Sequence, residues 1–184
     1  MSKLNKSFLI TCSGSKRSPV RNTSSIESLS FPELDKYRKK MIELSGIKLD
    51  WNFTLPAWEL YSGKRSKLYP QIAIHNWSKT CVKIKILSAL FGWINHTDYI
   101  PYYDLKMDQK LNINNKFVFN IWNDFSVLES FIDSSDIDLL SINYKKAISN
   151  DARINCLHPN IEFTDRGIQK GRWLNNELEL IVCE

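Results

Sequence analysis

The sequence predicts an α/β fold, a single compact domain over residues 1–184 with a mixed, mostly parallel central sheet flanked by helices. Three observations predict it. The chain has 184 residues, 43% of them hydrophobic, which suits one domain with a full core. Short apolar runs at 7–12, 82–87 and 136–143 have the length of buried strands. Segments between these runs repeat apolar residues at helical spacing, as crossover connections between parallel strands do.

The first apolar run, residues 7–12, predicts a buried strand that leads directly into the loop 13–19. This loop contains a glycine, three serines and Lys16. Backbone amides of such a turn and the lysine can converge on phosphate oxygens, although the spacing of a P-loop is absent. Two interpretations stay open, an anion-binding loop and an ordinary loop of serine, glycine and proline.

Residues 33–44 are predicted to form a helix, with Ser30 as its cap, Pro32 in an early position and Gly46 after its end. Its apolar residues recur at three- and four-residue intervals and are expected to face the sheet: Leu34, Tyr37, Met41 and Leu44. The basic residues between them are expected to form a solvated face: Lys36, Arg38, Lys39 and Lys40.

Residues 51–70 are rich in aromatic side chains. Within them, the run Tyr-Ser-Gly at 61–63 can line a pocket while Lys64 and Arg65 meet a nucleic-acid backbone. The alternative is a packed loop whose aromatic residues fill the edge of the core. A helix over about 67–78 is expected to cross over to the next strand and to carry Ile72 and Ile74 inward.

The central strand is predicted where apolar residues alternate with Lys83 and Lys85 before the run becomes continuously apolar. It ends abruptly, because small residues and Gly92 follow it. In an open α/β sheet, ligands bind beyond the carboxyl ends of strands. We therefore place the active or binding site here, on residues that can hydrogen-bond, stack and carry charge: Ser88, Phe91, Asp98, Tyr102, Tyr103 and Asp104.

Farther along the chain, residues 117–132 show helical spacing of apolar residues. A strand over 136–143 would bring Ser141, Asn143 and Tyr144 to the same rim, and a short helix would cover 144–149. The remaining predictions are a strand pair at 152–157 and 160–164, a basic connection at 165–173 and a last alternating strand at 177–183.

The formal net charge is +5 and the pI is about 9.0, which permits attraction to phosphate but also fits a bias in base composition. The four cysteines show no metal-ligand spacing, so we expect neither a metal nor another cofactor, and Cys81 and Cys183 are expected to be buried thiols in a reducing compartment. No signal peptide or membrane span is recognised, so a cytoplasmic protein without a membrane partner is expected.

Four short motifs follow one another along the chain. They are Thr-Cys-Ser-Gly-Ser-Lys at 11–16, Glu-Leu-Tyr-Ser-Gly at 59–63, Ile-Leu-Ser-Ala-Leu-Phe-Gly at 86–92 and Tyr-Asp-Leu-Lys-Met at 103–107, with Asp98 between the last two. This order resembles the YaaA-like superfamily, which includes the peroxide-stress protein YaaA and many short proteins with an amino-terminal Cys-Ser-x-Ser-Lys signature. The sequence departs from the family pattern at Pro101, which is shifted by one position. The resemblance implies a compact α/β domain concerned with DNA or modified bases.

The leading hypothesis is a DNA glycosylase that excises a modified base, with a role in phage defence. Such chemistry needs a flipped nucleotide, an aromatic platform, groups that read the base edge, cations for the flanking phosphates and a carboxylate. Asp104 is assigned as the carboxylate and Asp98 comes second, each with a structural alternative. The residues assigned to the substrate are Ser13, Lys16, Tyr61, Ser62, Gly63, Ser88, Phe91, Gly92, Tyr102, Tyr103 and Asn143. Those assigned to the DNA backbone are Lys64, Arg65, Lys170 and Arg172.

Two other functions use the same residues differently. A DNA-binding protein of the oxidative stress response would hold DNA without breaking a bond, and its affinity would fall steeply with salt. A base-transfer or modification enzyme would use Cys12 as the nucleophile, because Lys16 and the loop amides can lower the pKa of a thiol. Against this third function, Cys12 ends an apolar strand and can simply be buried.

Overall fold

The structure is a computed structural model that describes residues 6–22, 28–113, 115–149, 155–165 and 167–183. In chain order, its strands in these ranges are β1 Ser7–Thr11, β2 Val20–Arg21, β3 Phe53–Pro56, β4 Lys83–Ser88, β5 Gly92–Asn95, β6 Tyr99–Pro101, β7 Lys110–Leu111, β8 Lys116–Phe117 and β9 Asp136–Asp138. The α-helices are α1 Asp35–Ser45, α2 Ala57–Leu60, α3 Ile74–Trp77, α4 Val118–Phe125, α5 Ile142–Lys145 and α6 Ile168–Glu179. Short 3-10 helices occupy Pro32–Leu34, Tyr69–Gln71 and Leu128–Phe131.

The central sheet has the strand order β5-β4-β1-β9. β1 runs parallel to both β4 and β9, whereas β5 returns antiparallel to β4. Phe8 lies opposite Ile84 and Ile10 opposite Ile86, and all four side chains are buried. A strand buried on both faces reads as a continuous apolar run, which is why β1 and β4 were recognisable. The predicted α/β class and the mixed, mostly parallel sheet are confirmed.

The loops that follow three strands of this sheet begin at the same edge. β4 pairs with one side of β1, and β9, which comes later in the chain, pairs with the other side of β1. Since the three strands are parallel, the loops that follow Thr11, Ser88 and Asp138 all begin at the same edge. A second, three-stranded sheet, β2-β3-β6, is connected to the end of β5 where the Trp58 amide donates to the His96 carbonyl at 3.0 Å.

The amino-terminal helix differs from its prediction in its start and in its polar face. α1 begins at Asp35 after a 3-10 turn, and Ser30 does not cap it, because its hydroxyl donates to Asp98 at 2.7 Å. Gly46 ends it in the left-handed conformation at φ 65°, as predicted. Arg38 is buried rather than solvated, since its guanidinium donates to the carbonyls of Phe91 and Trp93 and to the Asp35 carboxylate.

The predicted helix over 67–78 is wrong over most of its length. The chain instead forms the 3-10 helix Tyr69–Gln71, which contains Pro70, and the single turn α3. Ile72 is buried as expected, but the side chain of Ile74 is 73% exposed. A proline removes one backbone donor and blocks the preceding turn, so a continuous helix is not formed here.

The carboxyl-terminal third also departs from its prediction. Residues 177–183 do not form a strand, because α6 continues to Glu179 and buries Leu174 and Leu178 one turn apart. The strand predicted at 136–143 ends at Asp138, and its last two residues belong to α5, which begins at Ile142. The helix predicted over 117–132 divides into α4 and the 3-10 helix Leu128–Phe131. Residues 160–164 form no strand. Of the partner strand predicted at 152–157, residues 152–154 lie outside the described residues.

Two further features were not expected. Cys81 and Cys183 form a disulfide, so their prediction as thiols is wrong, whereas Cys12 and Cys156 are buried thiols. The Lys85 ammonium lies 2.9 Å from the Asp136 carboxylate, and both residues are buried. The helices found in the described ranges are all too short or too polar to cross a membrane.

Candidate functional site

The loop after β1 and the loop after α2 are docked against each other. The Arg17 amide donates to the Leu60 carbonyl at 2.7 Å, and the Arg65 amide donates to the Ser15 hydroxyl at 3.0 Å. Gly63 lies at the closest approach, where a β-carbon would be 2.7 Å from the Lys16 amide nitrogen. Glycine is therefore required here by the close approach of the two backbones.

The segment after β6 completes an open cleft with these two loops. Tyr102 and Lys106 line it together with residues of the two docked loops, and its volume is about 950 Å³. Asp104 lies on the same segment, is exposed, and is close enough to Lys16 to act on it electrostatically. The structure thus brings together the loop after the first strand, the loop around Tyr61 and residues 102–106, which follow β6 and not the central strand β4 directly.

The lining of this cleft is strongly cationic. Five of its residues carry positive side chains: Lys16, Arg17, Lys64, Arg65 and Lys106. Four serines contribute hydroxyls: Ser13, Ser15, Ser18 and Ser62. Arg17 pairs with Glu59 at 2.8 Å, whereas the other four cations form no salt bridge with any residue that the structure describes. The cleft therefore presents several uncompensated positive charges to solvent.

Lys16 occupies the inner end of the cleft. Its ammonium lies 4.3 Å from the centre of the Tyr103 ring and 5.8 Å from that of Tyr61, within the range of cation–π attraction. Burial lowers the pKa of this ammonium, and the nearby Cys12 and Asp104 side chains oppose that shift. Lys16 is thus a cation held against aromatic faces, with a carboxylate close to it.

Beneath Lys16 lies a buried network of hydroxyl and thiol groups. The Tyr103 hydroxyl is 2.8 Å from the Tyr61 hydroxyl, 2.9 Å from that of Ser88 and 3.8 Å from the Cys12 sulfur. The Cys12 sulfur is 2.9 Å from the Tyr144 hydroxyl. Burial raises the pKa of Tyr61, Tyr103 and Tyr144, so these phenols stay neutral at physiological pH.

The buried network places several predicted substrate contacts in the core. Tyr61, Tyr103 and Phe91 have at most 2% of their surface exposed, so they do not offer a stacking platform to a base. Ser88 is fully buried, and its hydroxyl accepts from the amides of Leu90 and Phe91 as well as contacting Tyr103. Gly92 adopts φ 65° and packs against the ring of Trp122.

Four other predicted residues lie apart from the cleft lining. The Asp98 carboxylate accepts hydrogen bonds from the amides of Ser30 and Asn95, which is the turn alternative rather than a catalytic role. The Asn143 side-chain amide donates to Asp108. The Lys170 ammonium donates to the carbonyls of Leu139 and Leu140, and Arg172 donates to Gln71.

Sequence reasoning overlooked Lys106 and Arg17 as cleft residues. Residues 101–108 alternate strictly, with the odd-numbered residues buried and the even-numbered residues exposed. This period of two puts Tyr103 inward and puts Tyr102, Asp104 and Lys106 outward, and of these three Tyr102 and Lys106 line the cleft. The alternation is visible in the sequence and could have separated the two neighbouring tyrosines.

Comparison with known protein families gives a match over most of the chain. The family model described as peroxide stress protein YaaA matches residues 20–173, well over half of the chain. The match begins after the loop that contains Lys16, and it includes Gly63, Tyr103 and Lys106. A search of curated proteins found none that matches. The chain therefore belongs to the peroxide stress protein YaaA family.

Proposed function

We propose that this protein binds duplex DNA in the cationic cleft. The observation that carries the proposal is the clustering of Lys16, Arg17, Lys64, Arg65 and Lys106 around one open cleft of about 950 Å³. Phosphate contacts by lysine and arginine supply most of the sequence-independent affinity of proteins for DNA. Serine hydroxyls and backbone amides, which also line the cleft, are common further donors to phosphate oxygens.

The buried state of the aromatic residues favours backbone binding over base recognition. Of the tyrosines considered, Tyr102 is 49% exposed and lines the cleft, whereas Tyr61 and Tyr103 serve the interior. A surface that offers cations and hydroxyls with little aromatic area fits the sugar-phosphate backbone better than an unstacked base.

The experiment measures duplex DNA binding by fluorescence anisotropy over a range of salt concentrations. Each lysine that contacts one phosphate contributes about one to the slope of log K against log salt. Lys64→Gln and Lys106→Gln should each weaken binding and lower the slope by about one. The matched control is Lys83→Gln, an exposed lysine at the amino end of β4, which should leave both quantities unchanged. Equal losses in Lys83→Gln and the cleft variants would contradict the proposal.

A second candidate function is hydrolysis of an N-glycosidic bond in the bound DNA. It is favoured by the exposed Asp104 carboxylate beside the Lys16 ammonium at the cleft. A carboxylate in this position stabilises the oxocarbenium-like sugar and orients water. The bond between the sugar C1′ and the base nitrogen breaks, and its electron pair leaves with the base. Water oxygen bonds to C1′ and loses one proton, and the base takes up one proton, so that a hydroxyl sugar and the free base result.

Enzyme activity is tested by incubating DNA that carries normal, oxidised, hydroxymethylated or glucosylated bases, followed by alkali. Breaks that are lost in Asp104→Asn and kept in Asp108→Asn, another exposed carboxylate, would support the enzyme. Binding without breaks would leave the DNA-binding function alone. Cys12→Ser separates the third hypothesis, since a nucleophilic thiol would make this variant inactive.

A further inference from the structure

A second cavity lies next to the cationic cleft, at the carboxyl ends of β1 and β9. It has a volume of about 300 Å³ and shares Ser13, Gly14 and Arg65 with the cleft. Its walls come from the residues that follow β1, from the segment 65–69, from the residues after β9 and from the start of α6. We call it the β1/β9 crevice.

The position of this crevice is set by the topology of the sheet. β4, which follows β1 in the central sheet, pairs on one side of β1, and β9 pairs on the other, so the order of connection reverses between β1 and β9. In open α/β sheets, such a reversal parts the loops above the carboxyl ends and leaves a crevice where ligands bind. The β1/β9 crevice lies at that reversal, because Thr11 and Leu139 both line it.

Two serines that line the crevice, Ser66 and Ser141, can form hydrogen bonds with a ligand. The Ser66 hydroxyl oxygen is buried and has no hydrogen-bond partner among the residues that the structure describes. A buried polar atom normally has a partner, so an orphaned one marks a place where a ligand or water is expected. Ser141 precedes α5 without capping it through its side chain, and it also lines the crevice.

The charge and the apolar walls define the class of ligand. Arg65, Lys67 and Lys170 line the crevice, and no carboxylate does so within the described ranges. Leu68 and Leu139 supply apolar wall. A bare phosphate ion would not need the apolar wall, and a purely apolar ligand would not need the cations. At about 300 Å³, the volume is at the lower end for small-molecule sites.

We propose that the β1/β9 crevice binds one nucleoside monophosphate unit, with its phosphate toward Arg65 and Lys67 and its base inside the crevice, near Leu139 and Ser141. The unit can be a free mononucleotide or a nucleotide extruded from DNA in the adjoining cleft, and this second source rests on the proposed DNA binding. Ser66 and Ser141 then donate or accept hydrogen bonds at the edge of the base or sugar.

The test uses the full chain and two arms. In the first, isothermal titration with dAMP, dCMP, dGMP and dTMP is compared with inorganic phosphate. At least one nucleotide is expected to bind with a Kd below about 1 mM, and phosphate at least about tenfold more weakly. In the second, a duplex that carries 2-aminopurine is titrated, and its fluorescence should rise if the bound nucleotide is extruded.

Matched variants separate the crevice from the cleft. Lys67 lines the crevice and not the cleft, whereas Lys64 lines the cleft and not the crevice, and both are exposed. Lys67→Gln should weaken nucleotide binding severalfold while Lys64→Gln leaves it unchanged, and Ser141→Leu, which fills the crevice, should weaken it at least about tenfold. Thermal unfolding checks that each variant is folded.

The outcomes are distinct from those of the DNA-binding test. Nucleotide binding that is lost in Lys67→Gln and Ser141→Leu supports a free ligand, and a fluorescence rise lost in the same variants supports an extruded nucleotide. The proposal is overturned if neither arm gives a signal, if folded Lys67→Gln and Lys64→Gln bind the free nucleotide alike, or if folded Ser141→Leu keeps the fluorescence rise of the wild type at saturating protein. DNA affinity that depends on Lys64 would stand in either case.

Discussion

Individual charged residues in this protein differ greatly in what surrounds them. Lys16 lies against two tyrosine rings at the inner end of the cleft, while Lys64 is exposed at its rim. Lys85 is buried beside Asp136, while Lys83, two residues earlier on the same strand, is exposed. Each pair provides a comparison in which the same type of charge is removed from two environments.

The environment of Lys16 predicts an alkaline limb in DNA binding. Burial lowers the pKa of its ammonium below the ordinary value of 10.5, so Lys16 loses its charge at lower pH than exposed lysines. DNA affinity should therefore begin to fall as pH rises through this lowered pKa, before the exposed lysines titrate. The measurement is anisotropy at constant salt across that range. Lys16→Met should abolish the limb and Lys64→Gln should retain it, whereas a limb that persists in Lys16→Met would contradict the assignment.

The burial of Lys85 predicts a large loss of stability on its replacement. Lys85→Met leaves the Asp136 carboxylate buried without its cation, which costs about 3–5 kcal/mol in comparable cases. Lys83→Met, at an exposed position, should change the free energy of unfolding by no more than about 0.5 kcal/mol. Urea unfolding measures both. Adding Asp136→Asn to Lys85→Met should recover part of the loss, and similar losses in the two single variants would argue against the ion pair.

At the scale of elements, the cleft is made by loops that the central sheet and α2 bring together. The loop after β1 and the loop after α2 hold each other through backbone contacts. The segment after β6 adds alternate side chains to the cleft and to the core. The geometry of the cleft thus depends on contacts between loops more than on any one side chain.

Gly63 is the position at which this docking can be tested. A β-carbon there would lie 2.7 Å from backbone atoms of Ser15 and Lys16, and backbone atoms cannot move aside as a flexible side chain can. Gly63→Ala should therefore separate the two loops, lower the midpoint of thermal unfolding and weaken DNA binding. Gly14→Ala is the control, because its β-carbon would meet nothing closer than the end of Lys106 at 4.0 Å. Equal tolerance of both substitutions would show that the loops are not held this closely.

The elements that could be predicted from the sequence are those whose pattern has a single interpretation. The continuous apolar runs of β1 and β4 fit a buried strand, and the cations beside Gly63 were expected on the site. Residues 177–183 misled because Leu178 fits two patterns, a two-residue alternation with Leu180 and a four-residue helical spacing with Leu174, and the helical one is realised. Tyr103 was assigned to the substrate because a polar aromatic residue suits both a pocket and a core, and burial decides between them.

On the scale of the whole molecule, the site and the disulfide lie at opposite ends of the central strand. Cys81 precedes β4, and the loop that follows Ser88 begins at the edge where the cleft and the crevice lie. A strand of six residues spans about 20 Å. The disulfide joins the segment after α6 to the amino end of this strand, so it links two parts of the chain that are 102 residues apart.

This arrangement predicts that the disulfide contributes to stability and not to DNA binding. Closing a loop of this length restricts the unfolded chain, and its loss should cost about 2–4 kcal/mol, or roughly 4–16 °C in the unfolding midpoint for a chain of this size. The site should be unaffected because it lies about one strand length away. The measurements are thermal unfolding and DNA anisotropy on the wild type and on Cys81→Ser, each with and without reductant.

Reductant should lower the unfolding midpoint of the wild type and leave that of Cys81→Ser unchanged, because this variant has no Cys81–Cys183 bond to reduce. DNA affinity should be the same in all four samples. An unfolding midpoint that does not respond to reductant in the wild type would show that the bond contributes nothing to stability. A fall in DNA affinity without a fall in the midpoint would instead show that the disulfide affects DNA binding at the cleft. Strand β4 would carry this effect, because it connects Cys81 with the edge at which the cleft lies.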